Sequence, residues 1–170
     1  MPEYAIRNMR EDDLTAVLEW RNHPEIRRYM YTQQVITYAE HCAWFKSASD
    51  NTHKHLLIFE IDSLPMGFVN LGSQENGKIA DWGFYLAPDA VKGAGAALGK
   101  AALNYAFNQL NLHKVCGQAI EYNQRSALFH QRLGFRIEGT LRDQFYDGQN
   151  YHAVLCFGLL NTEWNNLEVK

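Results

Sequence analysis

Cysteine is scarce in this chain, and long apolar runs are missing. The three cysteines, Cys42, Cys116 and Cys156, lie far apart and form no Cys-x-x-Cys pair, which argues against a zinc site or a disulfide framework and fits a reducing compartment. No window approaches the roughly 18 consecutive apolar residues of a membrane-spanning helix, and the opening MPEYAIRNMREDD has no apolar core of a secretory signal. We therefore expect a cytoplasmic protein without a membrane partner or a metal site.

A strong charge imbalance is also absent. The 16 lysines and arginines against 19 aspartates and glutamates give a net charge of -3 and a pI near 6.1, so we expect no nucleic-acid partner. Hydrophobic residues make up 46% and charged residues 21% of the chain, as in typical soluble globular proteins. Without a linker, repeat or low-complexity tract, the 170 residues are predicted to form a single domain, 1–170.

Apolar periodicity predicts the element order β-α-α-β-β-β-α-β-α-β-β. The predicted strands are EYAIRN, HLLIFEI, MGFVNLGS, IADWGFYLA, HKVCGQAIE, FRIEGTLRDQFY and YHAVLCFGLL. Pro24 is expected to close the first helix, and Thr37 with Glu40 has the spacing of a capping box at the second. A mostly antiparallel meander that leads into a strand-helix-strand crossover predicts an α/β fold, a sheet flanked by helices.

The helix after the IADWGFYLA strand begins unusually. The stretch APDAVKGAGAALGKAALNYAF, from Ala87 to Phe107, places Gly93, Gly95 and Gly99 in its first turns, although glycine costs roughly 0.8–1.0 kcal/mol relative to alanine inside a helix. Either a ligand must approach the backbone there, or a glycine and alanine face packs closely on the sheet. A helix N-terminus also favours an anion such as a pyrophosphate.

Two segments resemble the GNAT family of N-acetyltransferases, and the resemblance covers essentially the whole chain. The family has Gln/Arg-x-x-Gly-x-Gly/Ala at a helix start, and residues 90–95 are similar except that Ala90 replaces the Gln/Arg. The segment NQRSALFHQRLGFRIEG is similar to the family's second motif, with Asn123 at its start and Leu-Gly-Phe and Glu-Gly further on. The resemblance implies the GNAT fold, with a splayed pair of strands that holds acetyl-CoA as the acetyl donor.

The resemblance also implies where the cofactor binds. The pyrophosphate is expected at the helix start and the pantetheine along the splayed strand, so the predicted cofactor-binding residues are Tyr85, Leu86, Lys92, Gly93, Ala94, Gly95, Ala96, Asn123 and Ser126. The backbone amides around Tyr85 and Leu86 are the expected donors to the thioester oxygen.

Two residues are candidates for proton transfer. His130 stands where the family commonly has a tyrosine that reprotonates the departing CoA thiolate, and a histidine can donate a proton. It could equally be a packed or a surface residue. Asp81 lies where related enzymes often have an acidic residue that accepts the amine proton directly or through water, although such an aspartate is more often merely solvated.

The amine acceptor is suggested by the first third of the chain. The segment EWRNHPEIRRYMYTQQVITYAEHCAWF resembles one GNAT subgroup, the acetyltransferases of pseudaminic acid biosynthesis, in order and spacing. That resemblance implies a UDP-linked 4-amino-4,6-dideoxy sugar that is acetylated on N4 by direct attack. Arg21 and His41 would meet the diphosphate or the uridine. Met30, Tyr31 and Trp44 would form an apolar wall beside the methyl group of the deoxy sugar. Glu121, near the end of a strand that borders the expected cleft, completes the predicted substrate site.

Other functions stay open from the sequence. The tail DGQNYHAVLCFGLLNTEW also resembles acetyltransferases of ribosomal-protein N-termini, so a protein N-terminus or a polyamine is the second acceptor class. A non-catalytic CoA-binding module is a further alternative, because His130 replaces the family's tyrosine. A homodimer is possible, since the long last strand could join another sheet edge.

Overall fold

Seven strands and six helices follow one another along residues 1–168, the part of the chain that the computed structural model describes. Residues 169 and 170 of the predicted domain lie outside it. The elements are β1 (Tyr4–Asn8), α1 (Leu14–Asn22), α2 (Pro24–Arg27), α3 (Tyr38–Ser49), β2 (Lys54–Ile61), β3 (Leu64–Ser73), β4 (Ile79–Leu86), α4 (Ala94–Asn104), β5 (Lys114–Ile120), α5 (Gln124–Arg132), β6 (Arg136–Tyr146), β7 (Tyr151–Leu160) and α6 (Asn161–Glu168). No helix in this range is long and apolar enough to cross a bilayer.

The predicted α/β element order is confirmed, with two corrections. Pro24 does more than close α1, because it is the first residue of α2, where a missing N–H costs no hydrogen bond. Helix α6 is not predicted by the sequence pattern; its buried Trp164 packs against Phe107, a contact between distant residues. The capping box of α3 is present, since Thr37 accepts from the Glu40 amide and the Glu40 side chain accepts from the Thr37 amide.

The sheet has the strand order β1-β2-β3-β4-β5-β7-β6, and all neighbours are antiparallel except β4 and β5. The parallel pair is short. Its register ends at Asp81 opposite Cys116, although β4 continues to Leu86 and β5 continues to Ile120. The two strands therefore separate beyond Asp81 and leave a gap in the middle of the sheet.

The sheet is covered on both faces. One face carries the main core, where α4 packs with residues such as Leu98 and Leu103 against Phe59 and Trp82. The other face carries a second core, in which Val17 and Trp20 of α1 pack with Phe68. Because side chains alternate along a strand, Trp82 and Leu86 face α4, whereas Asp81 and Tyr85 face the α1 and α3 side.

The last strand does not offer a free edge, so the expectation that it joins a second sheet is wrong. Strand β7 is hydrogen-bonded to β5 on one side and to β6 on the other. The edge strands are β1 and β6.

Candidate functional site

The gap between β4 and β5 exposes backbone hydrogen-bonding groups of β4. The amide of Ala87 donates to Met66 O of β3 at 2.8 Å. Along an antiparallel strand, hydrogen-bonded and non-hydrogen-bonded residues alternate, so the amide of Tyr85 also points to β3, while those of Phe84 and Leu86 point into the gap. The amides of Phe84 and Leu86 therefore face the gap and the amide of Tyr85 does not, while the predicted donation to the thioester oxygen stays a prediction.

Helix α4 begins at the end of β4 with unpaired amides. Gly93 is its N-cap in a left-handed conformation, with φ of 91°, and no side chain caps the helix. Within residues 1–168, the amides of Gly95 and Ala96 have no hydrogen-bond acceptor, whereas that of Ala94 donates to Val91 O. Lys92 and the four small residues that follow it in the predicted cofactor site therefore lie at one helix N-terminus, which is suited to an anion.

The three glycines of this helix have different roles. A methyl group on the buried Gly99 would lie 2.7 Å from Leu133 and 2.9 Å from Phe129, so Gly99 lets α4 and α5 pack closely. A methyl group on Gly95 would meet Leu86 and Phe129 only at ordinary contact distances of 3.6 and 3.7 Å. The protein itself therefore requires glycine at 93 and 99, but leaves room next to the backbone at 95.

Asn123 and Ser126 lie at the start of α5, on the same side of the sheet as α4. The Asn123 side chain caps the helix by accepting from the Ser126 amide at 3.2 Å. The Ser126 carbonyl in turn accepts from the ring of His130. Both residues have a local structural role, and their predicted contact with the cofactor stays a prediction.

His130 lies in the core, not in an open cleft. Its Nε2 accepts from the Trp82 indole N–H at 3.0 Å, and its Nδ1 donates to Ser126 O at 2.8 Å, so neither ring nitrogen has a proton to offer to a ligand. The ring stacks on Phe157 with centroids 4.7 Å apart and is 1% exposed. Burial lowers its pKa, although the bond to Ser126 works in the opposite direction. This environment speaks against His130 as the proton donor and explains it as a buried support of the gap.

Gly117 of β5 shows how tightly this support fits. A methyl group at Gly117 would lie 2.8 Å from the Trp82 Nε1 and closer still to His130. The hydrogen-bonded pair of Trp82 and His130 therefore rests directly on the β5 backbone, just after the last residue that pairs with β4. This packing lies at the point where β4 and β5 begin to separate.

Asp81 is exposed on the opposite face, at the start of the gap. It lies opposite Cys116 in the register, and Gln118 follows two residues later, so the three side chains share the α1 and α3 face. Asp81 is therefore accessible from that side, as a base for an incoming amine must be.

Arg21 of α1 is half-buried on the same face and is incompletely paired. Its Nη2 donates to the carbonyl of Thr32, while Nη1 is buried without a hydrogen-bond partner in the described part of the chain. Burial lowers the pKa of Arg21, and burial raises that of Tyr85, whose hydroxyl feels the guanidinium charge. An unsatisfied buried guanidinium N–H is costly unless a ligand binds it.

Two of the predicted substrate residues belong to the second core instead. His41 is 3% exposed, and its Nε2 bonds to Leu14 O at 2.9 Å, which ties α3 to α1. Trp44 stacks on His41 and meets the edge of Phe68. The bond of Nε2 to Leu14 and the burial of the ring speak against the predicted contact of His41 with a diphosphate or a uridine, and Trp44 is a half-buried packing residue.

The remaining predicted substrate residues lie around the loop that follows α2. Tyr31 is 53% exposed, and its hydroxyl donates to Gln118 Oε1 at 2.7 Å. Met30 is half-buried beside it in the chain. Glu121, at the end of β5, accepts from the Ala153 amide at 3.0 Å and is exposed.

An open cavity of about 720 Å³ adjoins this loop, and none of the residues that line it is predicted as a site residue from the sequence. It is lined by Arg28, Tyr29, Gln33, Tyr122, Asp147, Gly148 and Gln149. Gln33 donates to the Tyr122 hydroxyl, and the Arg28 guanidinium lies 4.5 Å from the centre of the Tyr29 ring. The only hint in the sequence is the run of arginines and tyrosines at 27–31, whose pairing with residues some 90 positions away is not visible in a pattern.

Comparisons with known proteins agree on the family. The model of the acetyltransferase (GNAT) domain matches residues 4–136. Acetyltransferase PseH of Campylobacter jejuni is 26% identical over 141 residues, which cover 81% of this chain and 86% of that protein. Spermidine N(1)-acetyltransferase of Escherichia coli is 24% identical over 152 residues, which cover 88% and 82%.

A solved structure shows the same fold. Spermidine N-acetyltransferase from Vibrio cholerae, in complex with CoA and spermine, matches with a TM-score of 0.89 at 22% identity and covers 96% of this chain and 98% of that one. The predicted GNAT fold, with its mixed sheet and its splayed pair of strands, is confirmed.

Proposed function

Because this chain belongs to the GNAT acetyltransferase family and is an acetyl-CoA-dependent N-acetyltransferase, we propose that its acceptor is the 4-amino group of a UDP-linked 4-amino-4,6-dideoxy sugar. The proposal follows the resemblance of the first third of the chain, and PseH is among its relatives. The observation that carries it is Arg21, a half-buried cation whose Nη1 has no hydrogen-bond partner within residues 1–168, on the face of the sheet that also carries Asp81.

The donor side of the site fits acetyl-CoA. The free amides of Gly95 and Ala96 hold the pyrophosphate, and Lys92 adds a positive charge. The amides of Phe84 and Leu86, which point into the gap, donate to the pantetheine and to the thioester oxygen. When bound, acetyl-CoA supplies an activated thioester carbonyl, and the protein positions an amine against it.

The acceptor side is reached from the face of α1 and α3. Asp81 accepts the amine proton directly or through water, because it is exposed at the start of the gap. Arg21 Nη1 donates to the diphosphate of the nucleotide sugar. The nucleoside end lies in the cavity, where the rings of Tyr29 and Tyr122, with centroids 6.1 Å apart, offer aromatic surface.

The charges that line the cavity suit an anion better than a polyamine. Of the seven residues that line the cavity, Asp147 is the one carboxylate. Its oxygens already accept from the amides of Gln149 and Asn150 and bond to His152, and these contacts lower its pKa to about 2. A polyamine site needs carboxylates that are free to pair. Arg21, with Nη1 unpaired in the described part of the chain, favours a diphosphate, and Arg28 adds positive charge although it pairs with Glu25 at 3.5 Å.

The experiment is a thiol-release assay at saturating acetyl-CoA. It compares the UDP-linked amino sugar with spermidine and with a peptide that has a free N-terminus. We expect rapid CoA release only with the nucleotide sugar. If spermidine or the peptide reacts faster, the acceptor assignment is wrong while the donor half of the site stands. If none of the three amines causes CoA release, the alternative that agrees with the result is a non-catalytic CoA-binding module.

The role of Arg21 has its own test. We expect Arg21→Met to raise the KM for the nucleotide sugar by roughly 10-fold or more, the value of a charge-assisted hydrogen bond, with an unchanged KM for acetyl-CoA. Arg142→Met, on the exposed edge strand β6, is the matched control. Equal KM values in Arg21→Met and Arg142→Met would remove Arg21 from the site.

A further inference from the structure

The loop after α2 places a phenol beside the gap. The Tyr31 hydroxyl donates to Gln118 Oε1 at 2.7 Å, and its ring packs against Phe145 with centroids 5.8 Å apart. Gln118 follows Cys116, the last residue of β5 that pairs with β4, by two positions. The hydroxyl is therefore held at the level of the sheet where the two strands begin to separate, on the same face as Asp81.

The chemistry of this phenol suits proton donation. Burial raises the pKa of Tyr31, and the neighbouring Cys156 thiol raises it further, so the hydroxyl keeps its proton at neutral pH. The residue as a whole is still 53% exposed, so its side chain is open to a ligand on this face of the sheet. His130 offers the opposite combination, since it is buried and both of its nitrogens are bonded.

We propose that Tyr31 is the proton donor to the departing thiolate, a role that rests on the acetyl transfer described above but not on which amine accepts the acetyl group. The amine nitrogen forms a bond to the acetyl carbon, the carbon-sulfur bond breaks, and its electron pair stays on sulfur. The Tyr31 hydroxyl turns from Gln118 to the sulfur and gives it the proton. The surplus proton of the acylated nitrogen passes to Asp81 or water and returns to the tyrosinate, so the net change is one proton moved from nitrogen to sulfur.

The test compares Tyr31→Phe, which keeps the ring against Phe145, with Tyr4→Phe on the distant strand β1. We expect Tyr31→Phe to lower kcat about 100-fold or more, the usual contribution of a general acid, with the KM for acetyl-CoA within about 3-fold. Tyr4→Phe is expected to leave both constants unchanged. Each variant is assayed with every amine, nucleotide sugar or spermidine, that the wild-type protein accepts.

Different results would contradict the proposal for the acceptor amine and the proposal for Tyr31. A loss of kcat with every accepted amine supports proton donation, even if spermidine proves to be the better acceptor. An unchanged kcat overturns it, and so does a loss of kcat with the nucleotide sugar when a second accepted amine keeps its kcat, because Tyr31 would then only contact that one substrate.

A second readout needs no turnover. The thiol pKa of CoA bound to the protein can be measured from the ultraviolet absorbance of its thiolate. A hydrogen bond from Tyr31 to the sulfur stabilises the thiolate, so the bound thiol is expected to have a higher pKa in Tyr31→Phe than in the wild type. Equal thiol pKa values in the two proteins would contradict the contact.

Discussion

Replacement of His130 distinguishes a buried support from a catalytic acid. In His130→Ala the Trp82 indole N–H loses its acceptor, which costs about 1–3 kcal/mol for a buried donor. The lost ring also leaves a cavity against Phe157 and Phe135, and large-to-alanine changes in a core cost about 2–5 kcal/mol. The two effects overlap, so we expect the free energy of unfolding to fall by about 4 kcal/mol.

The matched variant is His130→Gln. Its side-chain oxygen can still accept from Trp82, so we expect a loss of only about 1–2 kcal/mol. Unfolding in urea, followed by circular dichroism, measures both losses. For a chain of this length, 4 kcal/mol corresponds to a fall in Tm of roughly 10 °C.

The kinetic result decides the role. A general acid contributes about 100-fold to 10,000-fold to the rate, whereas a support that the glutamine preserves contributes little. We expect the kcat of folded His130→Gln to stay within about 5-fold of the wild type. A loss of 100-fold or more with nearly unchanged stability would refute the structural role and restore His130 as the proton donor.

Three further predictions concern stability and the donor site. Burial lowers the folded-state pKa of His130 and His41 below the unfolded value of about 6.5, so the unfolded chain binds more protons in acid. The free energy of unfolding should therefore fall below about pH 6.5, by up to about 1.4 kcal/mol per pH unit for each histidine. In His130→Gln the free energy of unfolding, measured in urea, should change less steeply with pH between pH 5 and 7. An unchanged pH dependence would contradict the lowered pKa of His130. Gly93→Ala forces a left-handed φ on a residue with a side chain. It should lower the free energy of unfolding by about 1 kcal/mol and raise the Kd for CoA, measured by calorimetry. The control Gly77→Ala, in a distant left-handed turn, should cost similar stability but leave the Kd unchanged, and equal Kd values in the two variants would argue against a CoA site at Gly93. Asp13→Asn removes the buried carboxylate that bonds to Arg7 at 2.7 and 2.8 Å. It should lower the free energy of unfolding by about 3 kcal/mol, and a change below about 1 kcal/mol would show that Glu60, which also bonds to Arg7, suffices.

The parts of the fold that depend on local patterns are predictable from the sequence. The capping box of Thr37 and Glu40 marks the start of α3, and apolar segments bounded by turn residues mark all seven strands. The glycines of α4 indicate both a turn and a close approach, and the structure assigns these roles to Gly93 and Gly99. These signals lie within a few residues of one another, so they need no knowledge of the tertiary fold.

The site is less predictable because its contacts join distant residues. His41 and His130 occupy positions that suggest function, yet Leu14 and Trp82 bury and bond them. Tyr31 and Gln118 are 87 residues apart, and only the folded chain brings them together. Periodicity shows that a residue lies on a helix or a strand, but not which neighbour forms hydrogen bonds with its side chain.

The acceptor identity is tested most directly by competition. Equal concentrations of the UDP-linked 4-amino-4,6-dideoxy sugar and spermidine are mixed with a limiting amount of acetyl-CoA and the protein, and the products are identified by mass spectrometry. We predict that the N-acetylated nucleotide sugar accounts for nearly all of the transferred acetyl groups. A predominance of acetylspermidine would contradict the proposal that the positively charged site around Arg21 binds an anionic acceptor.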